Sequence, residues 1–373
     1  MSSALLLFSA TAKPRNYNLP LPYSHRHRRR GLACAAAIFL CSSIAVAAPR
    51  TGQQNEQSNQ VVGEKPILYC TAADAHSKNL FYGEGGKEGA PPQLFTFDKE
   101  DLSGTNPKFD LRDDDGNKWR VKLGAEARPE TVATRLLWAA GYFSNEEYFL
   151  PKIRVKNMPP VSKKRRKLIR GLIDSDGTMY NVELKRYPKG EKKIGTWKWR
   201  ENPFRGTREF SGLRVMMALL NNWDVKDVNT GIYREDSACG SSADPLIYMV
   251  SDMGATFGTS GEAKHDTVGK GNLRSYRRSK FIRKVTPTYV DFDSPARMTL
   301  WGLVNPFDFL YRWHLRWIGK KVPRADAKWM GQILSRLSKD QIRDAFRAAG
   351  YSPAQVEGFT DIVSQRIAAL NQL

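Results

Sequence analysis

Two short polar patterns stand on either side of one apolar, strand-length run, and they restrict this 373-residue chain more than any other feature. The first, Asp224-Val225-Lys226-Asp227-Val228-Asn229, has the spacing D-x-K-x-x-N. The second, Asp252-Met253-Gly254, is a D-x-G just beyond Leu246-Ile247-Tyr248-Met249-Val250. Before the first lies Thr207 to Leu220, with Phe210, Leu213, Met217 and Leu220 at helical spacing. Thr207 is the expected N-cap of that helix, and its methionines are expected in the core rather than at a metal. A buried helix would then lead into the first pattern, and a strand would deliver Asp252. Asn229 through its amide oxygen and Asp252 through its carboxylate are hard donors suited to a divalent cation. Lys226 can neutralise developing negative charge, and Asp224 can orient a hydroxyl or accept its proton.

Upstream, Lys108 to Arg112 and Lys118 to Leu123 alternate about Asp113-Asp114-Asp115-Gly116-Asn117, which predicts a β-hairpin. Its second strand carries Lys122 between Val121 and Leu123, an ammonium suited to phosphate oxygens. Ser103-Gly104, before the hairpin, would let main-chain N–H groups approach an anion. Arg128-Pro129-Glu130 opens a predicted helix that ends at Gly141. Glu130 is the candidate partner for Lys122, with Glu126 as its competitor; Glu130 could equally complement the helix dipole.

The order Lys122, Glu130, Asp224, Asn229, Asp252 resembles that of protein kinases. Ser103-Gly104-Thr105-Asn106-Pro107-Lys108 is similar to the S-G-x-Q-P-K phosphate loop of HipA-type kinases, with Asn for Gln. Glu130 to Gly141 resembles their E-x(5)-L-x-x-A-A-G helix. Those enzymes and the phosphoinositide-kinase-like ones usually carry D-R-H-x-x-N, whereas Lys226 here follows ordinary protein kinases. The likeness spans roughly Leu102 to Gly258. It implies an α+β, bilobal protein-kinase-like fold with a small β-rich amino-terminal lobe holding one helix and a mainly helical carboxy-terminal lobe. It implies ATP and Mg²⁺, with Ser103, Gly104, Lys122 and Glu130 on the nucleotide, Asp224 and Lys226 in catalysis, and Asn229 and Asp252 on metal. Residues 63–190 and 191–373 are the expected lobes.

The amino-terminal end carries a different signal. His25-Arg26-His27-Arg28-Arg29-Arg30 precedes an uncharged apolar run from Gly31 to Ala48 that ends in a small-residue A-x-A site. This reads as a secretory signal over residues 1–47, with an uncleaved anchor as the alternative. Residues 1–30 are long for such a leader, as an extended or misassigned start would be. Residues 48–62 read as a disordered linker. The expected setting is secreted or periplasmic. Beyond the leader the cysteines are Cys70 and Cys239, which could form one disulfide in an oxidising space or remain separate thiols.

Lys and Arg number 59 against 38 acids, a formal charge of +21. Nucleotide binding does not need so large an excess, and it favours an anionic acceptor or surface. Lys163 to Lys167 could meet acidic lipid or a polyanion, or be a solvated loop. The aromatic, basic stretch Met298 to Ile318 could sit at a membrane interface, although buried helices explain such a pattern more simply. Thr259 to Asn272 is Gly-rich and suits an activation segment. The five histidines do not cluster, so a zinc-type site is unsupported, and beyond charge no motif points to nucleic acid. The activity these readings favour is transfer of the ATP γ-phosphate to a protein or small-molecule hydroxyl. A silent kinase-fold binding protein at membranes or polyanions, or AMP transfer on the same fold, are the alternatives. The acceptor and the oligomeric state are not legible.

Overall fold

The computed structural model describes residues 65–71, 75–102, 106–162, 167, 169–187, 192–234, 238–239, 245–259, 269–294 and 306–373, without the side chains at 306–309 and 312. The expected leader and linker, Ser103 and Gly104, most of the basic run at 163–167 and the middle of the Gly-rich segment lie outside these residues.

Pro66–Ile67 forms the short β1. A five-stranded closed barrel follows, built from β2 (Leu94–Asp101), β3 (Lys108–Arg112), β4 (Lys118–Leu123), β5 (Glu147–Lys156) and β6 (Thr178–Arg186) in the order β2-β3-β4-β6-β5. The parallel pairing of β2 with β5 closes it. The hairpin forms where alternation predicts it, and Asp113 holds its turn, accepting from the Asn117 main-chain N–H at 2.8 Å and the Trp119 indole at 2.9 Å. Phe109, Leu111, Trp119, Val121 and Leu184 fill the barrel. Strand alternation therefore turns Lys122 and Glu183 onto the outer face, where Lys122 lies opposite Glu183 in register.

Helix α1 (Ala127–Ala139) packs on that outer face against β5 and β6. It starts two residues ahead of Pro129 and stops at Gly141, whose φ of +97° and close approach to the Cys70 carbonyl leave no room for a side chain.

The carboxy-terminal part is mainly helical. Strand β7 (Lys192–Gly195), helix α2 (Arg208–Leu219), strand β8 (Thr230–Arg234) and strand β9 (Leu246–Val250) come first. The Thr207 hydroxyl caps α2 by accepting the Phe210 N–H, and Met216 and Met217 are buried in the core. β1 joins β9 in parallel, giving a sheet in the order β1-β9-β8-β7. Cys70 and Cys239 are joined as a disulfide between Cα atoms 5.6 Å apart.

Next come α3 (Leu273–Arg278), β10 (Ile282–Val285), β11 (Tyr289–Phe292), α4 (Pro306–Leu315) and β12 (Val322–Pro323). The chain ends with α5 (Arg324–Leu334), α6 (Lys339–Ala348) and α7 (Pro353–Asn371). Capping boxes at Ser338 and Ser352 start the last two. Arg366 of α7 is buried against the end of α2, donating to the Leu219 carbonyl at 2.9 Å and the Ser279 hydroxyl at 2.8 Å. The aromatic stretch departs from the simple buried expectation: Leu310 and Trp313 are each 54% exposed and Tyr311 is 41% exposed. Among the described residues no helix is long and apolar enough to cross a membrane.

Candidate active site

Antiparallel pairing of β8 with β9 explains how two distant sequence patterns meet. Thr230 lies opposite Val250, so the residues just outside the pair, Asn229 and Ser251, are brought together. The Asn229 carbonyl accepts the N–H of Ser251 at 2.8 Å and that of Asp252 at 3.3 Å. Within the loop, the Asn229 side-chain amide donates to the Asp224 carbonyl at 2.6 Å, which leaves its own amide oxygen as the ligand end. Asn222, fully buried, accepts the Asp224 N–H at 3.0 Å. Asn221, at φ +51°, donates to the Gly258 carbonyl at 2.5 Å. These two asparagines fasten the loop to α2 and to the stretch after Asp252. Lys226 Nζ stands 3.3 Å from the Asp224 carboxylate, and both side chains keep partial solvent access. Asp227 has a structural role, accepting the Trp199 N–H at 3.0 Å.

Lys122 is the centre of the second half of the site. Its ammonium makes a direct hydrogen-bonded ion pair with Glu130 and lies 3.8 Å from an Asp252 carboxylate oxygen. Glu126, the competing partner, is 3.8 Å away and is held instead by Lys270, so the rivalry resolves in favour of Glu130. Glu183 comes within 4.0 Å from the adjacent strand. Burial works against the Lys122 charge, but Glu130, Glu183 and Asp252 hold its pKa well above the ordinary value.

Asp252 is desolvated too, yet Lys122, the Gly254 N–H and the field of Lys108 keep its carboxyl below the usual range and ionised. It remains 35% exposed, so a ligand can reach it. Glu183 is pushed well above its ordinary value by burial and by the Glu130 charge. Glu147 is pushed up to about 8 by burial and then by Glu130. Oxygens of Glu130, Glu147 and Glu183 fall within 4.8 Å of one another, as do those of Glu126, Glu130 and Asp252. The members of the first group are all buried, and burial raises the pKa of each. The second group borders the exposed Asp252.

The donor set fits a divalent cation and a phosphate chain. The ionised, reachable Asp252 carboxylate belongs to a residue whose main-chain N–H meets the Asn229 carbonyl, and Lys122 and Lys108 supply positive charge to it; Asp252 and Asn229 both offer hard oxygen donors. The structure brings together Lys122, Glu130, Asn229 and Asp252, and it sets Asp224 beside Lys226; Ser103 and Gly104 are outside the described residues. Sequence reading assigned no role to Glu147, Glu183 or Lys270, and Lys108 entered it only as the end of the phosphate-loop motif and the start of the hairpin. Two of these had a readable signal. Once the hairpin is drawn, Lys108 falls opposite Lys122, and the alternation of β6 turns Glu183 to the same face as Lys122.

No family profile matches the chain, and no curated protein does. Among solved structures, similarity extends to the Helicobacter pylori proinflammatory kinase CtkA, at 13% identity and a TM-score of 0.39, over 76% of this chain and 98% of that one. The Golgi casein kinase aligns at 9% identity and a TM-score of 0.30, over 75% and 72% of the two chains. The same kinase with Mn and ADP bound gives 10% identity and a TM-score of 0.27, over 74% and 73%. Likeness this distant assigns no activity. The chain's own elements, a small β-rich part with one helix, a mainly helical part, and a lysine–glutamate pair beside an aspartate just past a strand end, give it an α+β, kinase-like fold.

Proposed function

We propose that the protein is an extracytoplasmic kinase-like phosphotransferase that moves the γ-phosphate of ATP to a hydroxyl of a protein or small molecule. The observation that carries this reading is the convergence of Glu130 and Asp252 on Lys122, with Asn229 tied to the Asp252 main chain. An ammonium bridging a buried glutamate and an ionised aspartate is poised to hold phosphate oxygens without further rearrangement. When bound, Mg²⁺ would neutralise phosphate charge, with Asn229 and Asp252 as its protein ligands. Asp224 would orient the acceptor hydroxyl and take its proton as the new oxygen–phosphorus bond forms and the bond from the γ-phosphorus to the β,γ-bridging oxygen breaks, with ADP as the leaving group. Lys226, 3.3 Å from Asp224, would stabilise charge on the transferred group. Ser103 and Gly104 are proposed to cover the phosphates.

The disulfide between Cys70 and Cys239 supports an oxidising, extracytoplasmic setting, as the leader-like first 47 residues do. An anionic acceptor is favoured by the basic excess, which is still +15 without the leader-like first 47 residues. The exposed Leu310, Tyr311 and Trp313 of α4 favour a peripheral membrane contact during that reaction.

The test is thermal stability with and without Mg²⁺-ATP, followed by incorporation from γ- and α-labelled ATP, for the wild type and Asp252→Ala. The reading expects a nucleotide-dependent rise in melting temperature and transfer of γ-label alone, both abolished in the variant. Absence of any nucleotide-dependent shift would sink it, and transfer of α-label would move it to AMP transfer.

A further inference from the structure

A second polar cavity, of about 390 Å³, opens between the start of α1, residues 270–271 and the first turn of α7. Arg128, Lys270, Asn181, Gln355 and Tyr351 supply its polar lining, with Leu172 and Pro129 among the apolar part, and among the described residues no acidic one lines it. Two cations, two side-chain amides and a phenol around a space of this size form a donor-rich wall, with the Glu126 carboxylate paired to Lys270 behind it.

The Arg128 guanidinium is oriented. It donates to the Asn181 amide oxygen at 3.1 Å and lies 5.6 Å from the Phe149 ring centre and 5.8 Å from that of Tyr351. The Gln355 amide oxygen accepts the Ser352 N–H at 3.1 Å, which directs its NH₂ away from that cap. Tyr351 is 7% exposed, and its hydroxyl has no hydrogen-bond partner among the described residues. A buried phenol without a partner is costly, and its presence on the wall calls for an acceptor inside. The main chain at Gly271 (φ +57°) runs so close that a Cβ there would lie 2.5 Å from that hydroxyl. The first turn of α1 adds the positive end of a helix dipole, and its N-cap, Glu126, makes no capping bond because its carboxylate is engaged by Lys270.

We propose that this cavity binds a small phosphate-bearing molecule, its phosphate held by Arg128, Lys270, the Gln355 amide and the Tyr351 hydroxyl and its apolar part lying on Leu172 and Pro129. A guanidinium gives a phosphate paired donors, an ammonium a point charge, and a phenol one further donor. The site is separate from the catalytic cleft and does not depend on the phosphotransferase reading. It communicates with the cleft through one carboxylate. Lys270 holds Glu126, and Glu126 lies 3.8 Å from Lys122. A phosphate that draws Lys270 toward itself loosens its hold on Glu126, so occupancy changes the acidic surroundings of Lys122.

Calorimetric titration of the full chain with inorganic phosphate at constant ionic strength tests the site. Arg128→Gln should weaken binding by about tenfold or more, and Tyr351→Phe by several-fold, because a charged donor and a neutral one are removed. Tyr351→Phe keeps the ring and its packing, so it guards against a folding defect in the arginine variant. Lys226→Met, in the catalytic cleft, should bind phosphate as the wild type does. Three results overturn the proposal: no binding, binding weakened by Lys226→Met instead, or binding unchanged in both Arg128→Gln and Tyr351→Phe.

Discussion

One oxygen of the Glu130 carboxylate accepts the main-chain N–H of Met253 at 3.3 Å while the other receives the Lys122 ammonium. A single buried side chain on α1 thus ties the strand that carries the lysine to the residue beside Asp252. Its position sets both the Lys122 ammonium and the main chain next to Asp252. A role limited to complementing the helix dipole would need neither contact.

Glu130→Gln should therefore damage activity more than folding. The amide keeps the shape and one acceptor but loses the charge that holds Lys122. The expected fall in kcat/KM for ATP is on the order of 100-fold, with a melting temperature close to that of the wild type. Steady-state kinetics beside calorimetry would check it. A variant with normal kcat/KM would limit Glu130 to a structural role.

Glu147 makes stability depend on pH in an unusual direction for a carboxylate. Burial and the Glu130 charge raise its pKa from 4.5 to about 8. Between those values the folded protein holds a proton that the unfolded chain has released. Folding therefore takes up a proton in this window, and stability falls as pH rises through it toward 8. The melting temperature should drop from mildly acidic pH up to about 8 and level off beyond it, and Glu147→Gln should flatten that slope. An unchanged slope in the variant would place the titration elsewhere.

The cystine spans a sequence separation of 169 residues, so its loss should release considerable freedom in the unfolded chain. Replacing both cysteines by serine should lower stability by about 2–4 kcal/mol. Denaturant unfolding of the wild type under oxidising and reducing conditions should differ by a similar amount, and the double variant should lose that difference.

Arg366 is 5% exposed, and the partners its guanidinium reaches are main-chain carbonyls of Ala218, Leu219, Tyr276 and Ser279 together with the Ser279 hydroxyl. It serves as a cation at the carbonyl end of α2, where the helix dipole favours one. Arg366→Met would strand those carbonyls and should destabilise the protein by about 3 kcal/mol. Chemical denaturation would measure it, and a change under 1 kcal/mol, an ordinary surface effect, would contradict the assignment.

Alternation and capping made much of this architecture readable. Val121-Lys122-Leu123 announced a strand with one polar face, and Thr207 and Gly141 marked helix ends where the structure has them. The linear order of Lys122, Glu130, Asn229 and Asp252 was legible for the same reason. Closure of the barrel was not, since the parallel pairing of β2 with β5 depends on contacts between residues far apart in the chain. Nor was the burial of Glu147 and Glu183. A glutamate in an alternating strand looks solvent-facing until α1 is laid across it. Trp313 misled in the other direction. Aromatic spacing in a basic helix resembles core, yet this ring is half exposed.

The pairing of β1 with β9 bears on how the molecule can be divided. The strand that leads to Asp252 has β8 on one side and residues Pro66–Ile67 on the other, with the Cys70–Cys239 link close behind. Residues Pro66–Ile67 are thus part of the sheet whose strand ends lead to Asn229 and Asp252. A fragment beginning at the helical half would leave an unpaired strand edge and an orphan thiol. The helical part is therefore not a module that can be excised or swapped alone; it travels with Pro66–Ile67 and Cys70 or not at all.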